Sequence, residues 1–128
     1  MHAQSPRSFR TGIKRGICRY CPNCGKGPLF DGYIKVHSPC AACGNDNGAY
    51  RADDAPAWLT ILIVGHAVIA PILYFGLAFI LTVSLGLVLA LLLPFIFLVT
   101  LLILPFAKGT IIGMEWARAK PAAHHRSI

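Results

Sequence analysis

Acidic residues are scarce in this chain: five Asp and Glu stand against twelve Lys and Arg. None of these charges falls between Ala55 and Ala107, a run of 53 residues. So few carboxylates leave no pair suited to general acid–base work, and neither a serine–histidine–acid set nor a phosphate-binding glycine loop is present. A non-enzymatic protein is therefore expected. Met1–Lys14 has no apolar core segment and does not read as a signal peptide. The missing charge over Ala55–Ala107 excludes a water-facing surface there. A helix needs ~20 apolar residues, at ~1.5 Å each, to cross ~30 Å of hydrocarbon. One crossing leaves about half the run unused, whereas two crossings and a tight turn consume it.

What is there divides the chain into four parts. Residues 1–15 read as a flexible basic arm and 16–52 as a four-cysteine zinc ribbon of short β-hairpins. Residues 53–107 hold two transmembrane helices, at about 56–78 and 85–106, and 108–128 form a basic tail that begins as a short interfacial helix. Asp53 and Asp54 precede Pro56 as a helix start, and Trp58 suits a membrane–water boundary. Pro71 is expected to kink the first span, and Pro94 and Pro105 to interrupt the second. The turn falls around Phe79–Ser84.

Charge sets the orientation. Residues 1–54 carry eight Lys and Arg against four Asp and Glu, and 108–128 carry four against one, a net +4 and +3. Basic ends around an uncharged turn place both termini in the cytoplasm.

An N-terminal part of 54 residues buries too little apolar surface to stand unaided, so it needs a staple. Cys21, Cys24, Cys40 and Cys43 provide one: C-x2-C, fifteen residues, C-x2-C. Two such pairs grip opposite edges of a tetrahedron, the spacing of a structural zinc site. Gly25 and Gly44 follow the pairs, where a tight turn brings backbone amides toward sulfur. Rubredoxin-type iron shares this geometry, and a redox dithiol is the remaining alternative. Cys18 is the odd cysteine, read as a free thiol beside the ribbon. His37 is read as an exposed strand residue.

His66 is the one imidazole inside the apolar run. It is expected to bond across a helix interface, with Tyr74, Thr82, Ser84 or Thr100 as partner. Gly86 and Ala90 offer a small-residue face; Gly109 and Gly113 repeat that spacing beyond the apolar run and read as accidental.

The order Arg15-Gly16, Cys21-Pro-x-Cys24-Gly25-x-Gly27-x-Leu29-Phe30, Gly32-Tyr33-x-Lys35-Val36, Cys40-x-x-Cys43-Gly44 and Asp53-Asp54-Ala55-Pro56-Ala57, followed by Ile61–Gly65 and a second hydrophobic helix, resembles one known pattern. It is similar to the uncharacterised bacterial membrane-protein family catalogued as domain of unknown function 983, over roughly residues 14–120. Ala52 and Ala55 stand where that family typically has glycine. The resemblance implies a bacterial inner membrane. Alphaproteobacterial members are often encoded among genes for cytochrome c oxidase subunits and assembly factors, which implies an accessory role beside a terminal oxidase. The residues themselves also allow a membrane-tethered module that binds nucleic acid or anionic lipid through Arg7, Arg10, Lys14, Arg15 and Arg19, or a thiol redox or metal-delivery protein using Cys18. No small-molecule substrate is indicated. Membrane lipid and a membrane-protein partner are the expected surroundings.

Overall fold

The structure is a computed structural model that describes residues 7–50 and 54–119. Its frame is two apolar helical rods. The first comprises α2 (Ala55–Val64), a π-helical turn at Gly65–Ile69 and α3 (Ala70–Ile80); the second is the single 34-residue helix α4 (Leu85–Arg118). Both are long and apolar enough to cross a membrane. Helix α1 (Phe9–Ile17) packs alongside the end of α4, so the N-terminal segment and the C-terminal end of α4 lie at the same end of the molecule.

The prolines are absorbed rather than disruptive. Pro71 lacks the amide that would bond the Ala67 carbonyl. Just before it the helix widens, with the Ala70 N–H donating to the Gly65 carbonyl five residues back, a common accommodation for such a defect. Contrary to expectation, α4 runs unbroken through Pro94 and Pro105. At Pro105 the reason is visible: the Leu101 carbonyl, left without its amide, accepts instead from the Tyr33 hydroxyl. At the helix start, Asp54 is the N-cap residue but its side chain makes no capping bond. Asp53 lies outside the described residues.

The arm expected at 1–15 is, from Phe9 onward, helix α1; residues 1–6 lie outside the described residues. Its sequence puts Gly12 and Gly16 on one face, and α4 puts Gly113 and Gly109 opposite them. A Cβ at Gly12 would come 2.5 Å from the Gly113 carbonyl oxygen, and one at Gly16 would collide with the carbonyl of Gly109. Four glycines therefore let two backbones touch, the geometry of small-residue helix pairs. This corrects two readings at once. The Gly109/Gly113 spacing is a packing surface, and the start of the tail is no separate helix but the continuation of α4 to Arg118, with one face buried against α1. Ile112, Gly113 and Trp116 are buried there, and Ile112 joins Leu29 and Phe30 in a small core flanked by Val36 and Tyr50.

Between α1 and Tyr50 the chain is irregular. The expected β-hairpins are not formed as strands among the described residues. Two isolated antiparallel bridges, Tyr20 to Pro28 and Phe30 to Val36, stand in their place. Segments 19–21, 27–30 and 36–37 do lie side by side, with Leu29 N–H on the Arg19 carbonyl (2.9 Å) and His37 N–H on that of Leu29 (2.8 Å). Each is too short, and too interrupted by Cys-Pro and Gly-Pro steps, to extend a ladder. Near the turn between the rods, α3 and α4 leave a cleft of about 530 Å3 lined by apolar residues including Ile72, Phe79, Leu91 and Phe95.

Candidate metal centre

Two copies of one local structure position the cysteines. In each, the first cysteine of a Cys-x-x-Cys-Gly unit accepts at its carbonyl from the glycine amide: Gly25 to Cys21 and Gly44 to Cys40, both at 2.8 Å. The turn needs positive φ at the glycine, +68° at Gly25 and +71° at Gly44, a region that costs a side-chain-bearing residue energy. The Lys26 amide then donates to the Cys24 sulfur at 3.4 Å.

The two units face each other. Cys21 Sγ lies 3.8 Å from Cys43 Sγ, and Cys24 Sγ lies 3.8 Å from Cys40 Sγ. All four sulfurs lie within 4.8 Å of one another. A zinc ion with four thiolates at ~2.3 Å has sulfurs ~3.8 Å apart, so two opposite edges already have that length and the donor set fits the ion. The backbone fits as well: a Cβ at Gly27 would come 2.5 Å from Cys40 Sγ, so a side chain there would occupy space the sulfur uses. Cys21 and Cys40 are buried, Cys24 is half-buried and Cys43 is exposed.

The cluster is electrostatically uneven. Burial pushes the Cys21 thiol up to about 12, more than the nearby backbone amides of Cys24 and Asn23 offset. At Cys24 burial also pushes upward. The amides of Gly27 and Lys26, with the thiols of Cys43 and Cys40, outweigh it and bring the group down to about 6. Amide donation to one sulfur and burial of another are the two environments that set thiolate affinity.

In the sequence, 45–51 reads only as a polar return segment, with nothing to distinguish Asn47. It is wholly buried in a short 3-10 turn, Asn47–Ala49. Its side-chain amide donates to the His37 carbonyl at 3.1 Å, and its oxygen accepts from Asn45 Nδ2 at 3.0 Å and lies 3.4 Å from Cys21 Sγ. Asn47 thereby ties the first unit to the return segment, and the Cys40 N–H, donating to the Asn45 carbonyl at 2.9 Å, ties the second. The alternation of Asn45, Asp46 and Asn47 beside Gly48 is the only local signal that could have marked it.

Cys18 is exposed and outside the four-sulfur group. His37 is half-buried, and its backbone rather than its ring supports the site. Three of the five basic residues considered for phosphate contacts are engaged internally. Arg7 donates to the carbonyls of Trp116 and Ala119, Arg15 to those of Pro22 and Asn23, and Arg19 to those of Gly32 and Tyr33. Lys108 adds a clamp, donating to the Ile34 carbonyl at 2.9 Å. The Arg7 and Lys108 bonds fasten the N-terminal part to α4, and those of Arg15 and Arg19 hold the cysteine-bearing loops to α1 and to each other.

His66 does not bond across an interface as expected. Its Nδ1 lies 2.9 Å from the Leu62 carbonyl of its own helix, and the side chain is exposed. Thr82 and Thr100 likewise donate to their own helices, at Phe79 and Ile96. In an apolar medium a short polar side chain finds its nearest acceptor one turn back.

The family described as Protein of unknown function (DUF983) matches residues 30–116, more than half of the chain, and the chain belongs to that family. Cys40, Cys43, the first rod and all but the last two residues of α4 fall inside the matched span; Cys21 and Cys24 precede it. No curated protein and no solved structure matches.

Proposed function

We propose that this member of the DUF983 family is a non-enzymatic accessory or assembly factor of a bacterial inner-membrane complex, with cytochrome c oxidase as the candidate complex. In this reading Cys21, Cys24, Cys40 and Cys43 hold one structural zinc ion. The observation that carries it is the convergence of four sulfurs at tetrahedral spacing in a domain bonded directly to the end of a long apolar helix. Four thiolates leave a zinc ion no open position for a substrate, which favours a scaffold over a catalyst. The domain then presents a fixed face just outside the bilayer, and the rods present apolar faces within it.

The excess of basic residues at both ends supports a cytoplasmic location for the domain. A reducing compartment keeps the thiols available to metal. The oxidase is suggested by the gene neighbourhoods of the family that the sequence resembles. Affinity purification of the full chain in mild detergent tests the reading. Recovery of oxidase subunits or assembly factors is expected; a preparation without them sinks the oxidase assignment.

One observation favours a second reading, a tethered module for anionic lipid or nucleic acid. Arg10 and Lys14 on α1 and Cys18 at its C-cap follow at four-residue spacing and, with Thr11, Arg15 and Tyr20, line a groove of about 450 Å3. Binding there would weaken steeply with salt. A salt-insensitive or absent interaction of the full chain with anionic vesicles and with nucleic acid removes this alternative.

A further inference from the structure

His66 sits 11 residues into the first rod, about 16 Å along it at 1.5 Å per residue, near the middle of a ~30 Å hydrocarbon layer. It is part of the π-helical turn, and its ring is exposed rather than turned toward α4. Since a carbonyl oxygen only accepts, the 2.9 Å contact with Leu62 makes Nδ1 the donor. In neutral imidazole the other nitrogen, Nε2, is then a lone-pair acceptor. Among the described residues Nε2 has no partner, and an unsatisfied polar group at that depth costs several kcal/mol.

From this geometry we propose that the His66 face docks a transmembrane helix of a different protein, which supplies a hydrogen-bond donor to Nε2. The surrounding surface fits such a neighbour. Leu62 and Ile63, one turn before His66, and Leu73, two turns after it, are exposed, and the small residue Ala70 is exposed one turn on. Gly65 has open space where a side chain would be, so another backbone can approach closely. Symmetric pairing of His66 with His66 of a second copy fits poorly, because it would set lone pair against lone pair. The inference rests on the proposed role in a membrane complex and names where on this chain the partner binds.

The test is a photo-crosslinking residue, benzoylphenylalanine, at Ala70 of the full-length protein in native membranes. Irradiation is expected to give an adduct with another integral membrane protein. His66→Leu, apolar and compatible with lipid, should cut its yield about fivefold or more, the effect of an interhelical bond of ~1–2 kcal/mol. His66→Gln, which retains an acceptor, should restore most of it. Membrane level and metal content should be unchanged in both variants, which separates docking from folding. An adduct with lipid alone, with a second copy alone, or with a yield indifferent to His66→Leu overturns the proposal, as does no adduct. An adduct with a protein unrelated to any oxidase keeps this inference and removes the oxidase assignment. Recovery of oxidase subunits without a His66-dependent adduct does the reverse.

Discussion

The Tyr33 hydroxyl donates to the Leu101 carbonyl, the group that Pro105 leaves without a helical amide. A residue of the cysteine-bearing domain thus completes the hydrogen bonding of a long apolar helix, and a proline that would otherwise weaken α4 becomes the docking point for that domain. Lys108, bonded to the Ile34 carbonyl, reinforces the contact about two turns further along.

Coupling between these residues is measurable. Tyr33→Phe should destabilise the folded protein by about 1 kcal/mol, or more because the carbonyl is left unpaired. In a Pro105→Ala background the helix supplies its own amide, so the same change should cost little. A double-mutant cycle of unfolding in detergent reads the difference. Equal losses in both backgrounds would refute the coupling.

The helix pair α1–α4 predicts a contrast among glycines. Gly16→Ala or Gly109→Ala places a methyl group against backbone and should cost about 1–3 kcal/mol, the usual range for overpacking. Gly86→Ala has open space around it and should be neutral or slightly stabilising. Thermal unfolding followed by tryptophan fluorescence distinguishes them, because Trp116 packs beside Gly12.

Gly27→Ala should weaken metal retention without touching a ligand, because the new methyl meets Cys40 Sγ. Competition with a chromogenic chelator should show faster or more complete release than from the unaltered protein. Lys26→Ala, at an exposed neighbouring position, is the control and should retain metal normally.

Elemental analysis should find one zinc per chain. Cys21→Ser should abolish it, whereas Cys18→Ser should leave it intact because that thiol lies outside the group. Loss of metal from Cys18→Ser, or its loss of function with metal retained, would revive the redox or metal-delivery reading. Chelation should make the domain sensitive to protease, as expected when metal binding is coupled to folding.

Asn47→Ala should be costly for a loop residue. It orphans the His37 carbonyl and empties a buried site, a loss of about 1–3 kcal/mol. Protease resistance of the domain should fall accordingly, and a variant as resistant as the parent would contradict the role assigned to Asn47.

The sequence by itself determined the features that depend on local pattern or composition. Fifty-three uncharged residues can be satisfied by two long apolar helices, because backbone groups in an apolar medium must bond within their own helix. Paired C-x2-C units with a following glycine make two identical turns, and two such turns can meet around one point. Tertiary structure decided what depends on residues far apart in the chain. Gly12, in the basic arm, and Gly16, just past it, carry no signal until Gly113 and Gly109 lie across from them. Pro105 looks like an interruption until Tyr33 reaches Leu101, and Asn47 looks like solvent-facing polarity until His37 and Cys21 close over it. Each is a contact between a vacancy in one segment and a group in another, and neither segment carries a periodic signal for its counterpart.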